Sequence, residues 1–263
     1  MNFRLPDSVL RAAADLPITA VLDELRATLE HGDNAIVEAP PGAGKTTIIP
    51  LALLTQPWLG DRRIVMLQPR RVATKAAATR MASLLGEEPG QTVGYRMRLE
   101  SRSSAATRIE VVTEGVLLRM LTDDPSLDDV GLLVFDEFHE RSLDGDLGLA
   151  LARYARETFE RDSPLKLLVM SATLDGDSLA AYLGATPIRS EGRTHPVAIE
   201  YLPPRSPRER LDEQVLRAID GALERHPDSS ILVFLPGQGE IHRIAKALNP
   251  PPDTQVHPLL GSL

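Results

Sequence analysis

A chain of 263 residues that is 43% hydrophobic is long enough for one large domain or two moderate ones with real cores, and 25% charged residues is a globular rather than a disordered balance. No apolar run approaches the roughly 18 residues of a membrane span, and the lack of cysteine excludes disulfides, thiolate metal sites and cysteine nucleophiles, which suits a reducing, cytoplasmic location. The net charge of −8 argues against a small basic module that coats nucleic acid, while leaving room for a local phosphate-binding groove. The opening MNFRLPDSVLRAAADLP has neither the apolar stretch nor the cleavage pattern of a secretory signal, so none is expected.

Along the chain, short β-branched runs alternate with longer helical patterns. Strands are predicted at 34–38, 63–67, 91–95, 108–112, 131–135 and 166–170, and helices at 18–30, 45–54, 70–85, 114–121 and 147–160. Runs such as LLVF and KLLVM are apolar throughout, as strands buried on both faces must be. Such βα alternation predicts an α/β fold, a doubly wound parallel sheet with helices on both faces. Near Pro187 the chain turns proline-rich, and a boundary is placed at 190/191. The remainder, 191–263, reads as a connector with a short strand at 197–201, then a helix at 207–226, a strand at 231–235, a helix at 238–248 and a last strand at 255–257.

The strongest chemical signal is AIVEAPPGAGKTTIIP, residues 35–50, a strand that enters a Gly/Pro-rich turn and then a helix starting at Lys45. That geometry aims backbone N–H groups and the positive helix end at an anion. Gly42 and Gly44 let the backbone wrap phosphate oxygens, Lys45 can reach the β- and γ-phosphates, and the Thr46 hydroxyl can ligate Mg2+. The G-x-x-x-x-G-K-[ST] pattern is met except at its first position, where Ala39 stands.

About ninety positions on, GLLVFDEFHERS ends an apolar strand in Asp136 and Glu137, at the sheet edge where ligands bind in open α/β folds. Asp136 would hold Mg2+ and Glu137 would orient and deprotonate an attacking water. Taken alone, His139 reads as a buried, satisfied histidine rather than as a site residue. VMSATL ends a further strand in Ser171 and Thr173, hydroxyls able to bond carboxylates or water, or simply to cap a turn. Arg70 and Arg71 in LQPRRVA, and Thr113 and Gly115 in VVTEGVLLR, sit at helix starts that suit backbone phosphates of a nucleic acid or, equally, ordinary capping with a solvated basic face.

Taken together these segments resemble the N-terminal part of superfamily 2 helicases of the DEAH/DExH-box kind. APPGAGKTT resembles motif I, LQPRRVA motif Ia, VTEGVLLR motif Ib, DEFHER motif II and SATL motif III. VGYRMRLE, LPITAVLDELRATLEHGDN, GRTHPVAIEYL and ILVFLPGQGEI resemble further segments of the family, and the whole set is most similar to its bacterial HrpB-type branch.

The resemblance implies a RecA-like first domain over 1–190 and the start of a second RecA-like domain in 191–263. It implies an ATP-dependent nucleic-acid helicase whose single-stranded partner is RNA in preference to DNA, with ATP and Mg2+ as cofactors. Pro41, Gly42, Ala43, Gly44, Lys45, Thr46 and Thr47 would bind the triphosphate, with Thr46 and Asp136 at the metal and Glu137 as hydrolytic base. His139, Ser171 and Thr173 would couple nucleotide state to strand grip. Arg70, Arg71, Thr113 and Gly115 would contact the strand, and Arg80 would stack on adenine. No arginine follows Arg243, so the arginines of motif VI are expected in a longer polypeptide, and little unwinding is expected from these residues alone. Two other readings stand beside it: a nucleotide-binding interaction module without turnover, and a different P-loop ATPase.

Overall fold

The computed structural model describes residues 4–173, 176–191 and 197–259, and the chain divides into two compact units, Met1–Thr194 and His195–Leu263. In the first unit, helix α1 (Asp7–Ala14), a 3-10 turn (Pro17–Val21) and α2 (Leu22–His31) precede strand β1 (Asn34–Glu38) and α3 (Lys45–Leu53). There follow β2 (Arg63–Leu67), α4 (Arg71–Leu85), β3 (Val93–Met97), β4 (Glu100–Arg102), β5 (Ile109–Val112) and α5 (Glu114–Asp123). The unit closes with β6 (Val130–Phe135), α6 (Leu143–Thr158), β7 (Lys166–Ser171), α7 (Gly176–Leu183) and β8 (Pro187–Arg189).

The strands form one eight-stranded sheet in the order β4-β3-β5-β2-β6-β7-β1-β8, parallel throughout except for the β3–β4 hairpin. Strand side chains alternate between faces, and the two cores follow that alternation. Ala35, Val37, Ile64 and Met66 pack with Leu25, Ile49 and Met81 of α2, α3 and α4 on one face. Ile36, Val65 and Leu67 pack with Leu117, Leu149 and Ala152 of α5 and α6 on the other. Helices therefore cover both faces, as a doubly wound sheet requires.

Parallel register carries the strand ends to a common edge. Leu67 pairs with Phe135 across β2 and β6, Phe135 with Val169 across β6 and β7, and Glu38 with Ser171 across β1 and β7. Ala39, Gln68, Asp136 and Ala172, each one residue beyond its strand, thus leave the sheet along one C-terminal edge. The chain returns from β1 to β2 over the positions of β7 and β6, so that edge is also a topological switch point.

Several expected boundaries shift. β3 begins two residues later than the 91–95 prediction, and α6 begins at Leu143 rather than 147. The 18–30 helix divides into the 3-10 turn and α2. Four short elements escaped the pattern reading: α1, the polar hairpin strand β4, α7, and the edge strand β8, where Pro187 is tolerated because it opens an edge.

The second unit contains α8 (Leu211–Arg225) and α9 (Gln238–Ala247), which pack together through Ile219 and Ile244. The strands expected at 197–201, 231–235 and 255–257 are not formed. A strand exists only through its ladder, and among the described residues none pairs with these runs. Val197, Ile199, Tyr201, Leu232 and Phe234 are accordingly exposed. Residues 192–196 of the GRTHPVAIEYL connector and Leu174 of SATL lie outside the described residues.

Candidate functional site

The turn between β1 and α3 is fixed from below by the 3-10 segment. Ile18 donates its N–H to Ala43 O at 3.1 Å, and Ala39 donates to Ser171 O at 3.0 Å. Gly44 is required twice over. Its φ is +94°, and a Cβ there would come within 2.7 Å of Leu16 Cδ1 and 3.2 Å of Ile18 Cγ2. Ala39 and Ala43 are buried while Pro41 and Gly42 are exposed, so the loop offers its crest to solvent and its small side chains to the core.

Lys45 opens α3 and is buried, 3% exposed. Its Nζ lies 3.1 Å from Glu137 Oε1. The Thr46 hydroxyl donates to Asp136 Oδ2 at 2.6 Å, Gln68 Nε2 donates to the same oxygen, and the Glu137 N–H donates to Asp136 Oδ1 at 2.9 Å. Burial of Asp136 pushes its carboxyl up to about 6 against the Thr46 hydrogen bond, with the Glu137 charge adding to the rise and Lys45 opposing it. The cleft therefore holds a buried cation, a partnered carboxylate and a second carboxylate whose charge is penalised by its surroundings. Such a place favours an incoming group that brings its own charge compensation.

After Asp136 the chain makes one 3-10 turn, Phe138–Glu140, flanked by two non-glycine residues in the left-handed region, Glu137 at φ +50° and Arg141 at φ +44°. Phe138 anchors the turn, packing edge-on against Phe135 at 6.3 Å between centroids. Successive side chains then diverge. His139 Nδ1 accepts the Ala172 N–H at 3.2 Å and lies 3.4 Å from Glu137 Oε2. Glu140 grips Arg70 with both oxygens, Nε–Oε2 at 3.1 Å and Nη2–Oε1 at 2.9 Å. Ser142 caps α6 by accepting the Gly145 N–H at 2.9 Å and donates to Glu114.

Thr46, Thr47, Gln68, Arg70, Arg80 and Glu137 line a single cavity of about 410 Å³. Arg80 thus shares the wall of the phosphate-loop cavity although it lies more than two helical turns into α4. Thr113, at the start of α5, and Gly115 border a larger cleft of about 940 Å³ with Arg96, Arg98 and Arg119. A Cβ at Gly115 would meet nothing within 4 Å, so packing does not demand glycine there. Arg71 is exposed on the first turn of α4. Ser171 is buried beside the loop, but its hydroxyl turns back to Thr173 O instead of reaching a carboxylate, and Thr173 is exposed.

Sequence reasoning did not assign Gln68, Glu140, Glu114 and Ser142 to the site. Gln68 was within reach, because once β2 and β6 are neighbours in register the residue after Leu67 must lie beside the residue after Phe135. The Glu140 contact depends on how the 3-10 turn aims its side chains, and the Glu114 contact on how the start of α6 meets α5; no spacing rule states either.

A family model described as DEAD/DEAH box helicase matches residues 20–181. The chain is 47% identical over 253 residues to the ATP-dependent RNA helicase HrpB of Escherichia coli (strain K12), covering 95% of this chain and 31% of that protein. It is 36% identical over 245 residues to the human ATP-dependent RNA helicase DHX33, covering 92% of this chain and 34% of that one. The crystal structure of the Escherichia coli DEAH/RHA helicase HrpB superposes with a TM-score of 0.81 at 48% identity, over 88% of this chain and 29% of the other. The chain therefore spans about a third of the length of these relatives.

Proposed function

Because the chain belongs to the DEAD/DEAH box helicase family, we propose that it is the ATP-binding part of an ATP-dependent RNA helicase, in which ATP hydrolysis is coupled to binding of, and movement along, a single strand. The observation that carries the reading is the convergence of two segments 90 positions apart, with Thr46 on Asp136 at 2.6 Å and Lys45 on Glu137 at 3.1 Å. RNA is taken as the strand because the relatives just described are named as RNA helicases. Residues 191–263 are read as a connector and the opening of a second RecA-like domain, a reading in keeping with the division of contacts at 194/195.

In this reading the turn from Pro41 to Thr47 wraps the triphosphate with its N–H groups, and Lys45 exchanges Glu137 for phosphate oxygens. That exchange leaves Glu137 free to orient a water towards the γ-phosphorus and to take its proton as the new P–O bond forms, while the bond to the bridging oxygen breaks and the nucleoside diphosphate leaves. Thr46 and Asp136 present hard oxygen donors side by side, a donor set that fits Mg2+, which keeps most of its waters and takes few protein ligands. Held by Thr46 and Asp136, Mg2+ would supply neutralisation of the phosphate charge. Arg80, on the same cavity wall, suits the base end of the nucleotide. His139, by accepting the Ala172 N–H, ties the carboxylate turn to the end of β7, where Ser171 and Thr173 lie, and so is the group through which nucleotide state reaches that strand end. Arg70, Arg71, Thr113 and Gly115 supply phosphate contacts at the starts of α4 and α5, making recognition sequence-independent and salt-sensitive.

The test is binding of a fluorescent ATP analogue with Mg2+ to the wild-type chain and to Lys45→Ala. Loss of binding is expected, and unchanged affinity would show that the nucleotide sits elsewhere. Turnover of Glu137→Gln measured beside wild type separates an enzyme, which loses rate, from a passive nucleotide-binding module, which loses nothing.

A further inference from the structure

Arg70 is not waiting for a ligand. Its guanidinium is held by both oxygens of Glu140, in the fork-to-carboxylate geometry that a strand phosphate would also offer. We propose that Glu140 is an internal competitor for the strand, a carboxylate that occupies Arg70 in place of a backbone phosphate, so that the strand must displace it to bind. The inference rests on the reading of Arg70 as a strand contact.

Three features of the structure carry it. Glu140 cannot simply follow the guanidinium when a phosphate draws it away. It stands on a one-turn 3-10 segment pinned by Phe138 against Phe135, by His139 at Ala172, and by Arg141, which bonds Asp146 at 3.2 and 2.7 Å. The partners are also unequal in exposure. The Arg70 side chain is 72% exposed and the Glu140 side chain 32%, so an arriving phosphate meets the arginine first. Finally, the same turn begins at Glu137, the partner of Lys45, so the competitor is covalently continuous with the nucleotide cleft. An exposed ion pair of this kind is weak enough to be displaced and strong enough to matter.

The experiment measures binding of a fluorescently labelled oligouridylate to the 263-residue chain by anisotropy at one fixed salt concentration, since strand affinities have meaning only with the salt stated. Arg70→Ala, Glu140→Gln and the double variant are compared with wild type. The expected results are weaker binding by Arg70→Ala, binding about two- to fivefold tighter by Glu140→Gln, and a double variant that binds like Arg70→Ala alone. The last result distinguishes competition for Arg70 from a general relief of charge repulsion. A Glu140→Gln gain that persists without Arg70 overturns the proposal. So does a Glu140→Gln variant that binds no better than wild type while Arg70→Ala binds worse. If Arg70→Ala itself binds as wild type does, it is the reading of Arg70 as a strand contact that fails, and the competitor with it.

Discussion

Replacing Asp136 by Asn should stabilise the nucleotide-free protein while abolishing Mg2+-dependent nucleotide binding. The folded carboxyl is pushed up to about 6 from 3.8, chiefly by burial, so the folded state holds the proton more tightly than the unfolded chain between those values. Stability must then fall as pH rises through that window, and above it the full penalty is present. A rise from 3.8 to about 6 corresponds to about 3 kcal/mol. The amide can take over every contact. Its Oδ1 still accepts the Glu137 N–H, its Nδ2 donates to Thr46 Oγ once that hydroxyl turns, and Gln68 need only flip its amide to accept the second hydrogen. Trp58 is the sole tryptophan and lies in the first unit, packed against its core, so urea unfolding followed by its fluorescence reports that unit alone. With a slope of about 3 kcal/mol/M, the Asp136→Asn midpoint should lie about 1 M above wild type at pH 7.5 and coincide with it near pH 4. Equal midpoints at pH 7.5, or an offset that does not shrink on acidification, would refute the claim that burial of this carboxylate opposes folding.

Gly44→Ala should destabilise the first unit by about 1–3 kcal/mol and weaken nucleotide binding, because the residue needs φ +94° and its Cβ would meet Leu16; a thermal melt and a nucleotide titration check both effects. Ser142→Ala removes the α6 cap and the contact to Glu114 and should cost about 1 kcal/mol in the same urea assay. Glu110 is 1% exposed; burial favours its neutral form, but hydrogen bonds from Arg96 and Ser103 and the charges of Arg96 and Arg63 prevail and hold the carboxyl below its ordinary value. Its contribution is present above the ordinary glutamate range and lost as pH falls through the depressed folded value, so Glu110→Ala should lower stability by about 3 kcal/mol at pH 7, by a smaller margin in acid, as urea midpoints at the two pH values would reveal.

The α/β class was legible because buried parallel strands leave a plain mark. β1 is apolar between Asn34 and Glu38 and β2 is apolar from Ile64 to Leu67, and the bounds expected for them are the bounds observed. What the pattern could not state was which strands are neighbours. The chain places β2 between β5 and β6, and only that order brings Gln68 to Asp136. The runs at 197–201 and 231–235 show the opposite failure. Their β-branched and aromatic composition is real, but composition expresses a fitness for pleated, half-buried surroundings, and a ladder needs a partner. Arg70 was legible as a phosphate-facing residue by type, and illegible as one already paired, because its partner lies 70 positions away on a turn too short to carry a period.

The cleft and the carboxylate turn share one physical character: each is held in a state less favourable than its sequence neighbours could reach elsewhere. Asp136 bears a charge that burial penalises, and Glu137 and Arg141 take left-handed backbone conformations that side chains with a Cβ seldom adopt. These costs fall within six consecutive residues, flanked by the fully buried strand β6 before and the capped helix α6 after, which together are stable enough to impose them. Relaxing any one of them by substitution should therefore raise stability and lower function together, and the Asp136→Asn variant measures the largest. The same logic fixes the direction in which ligands act. On the roles proposed above, a polyphosphate would draw Lys45 off Glu137 and a strand phosphate would draw Arg70 off Glu140, so each ligand would free a carboxylate on the same short turn.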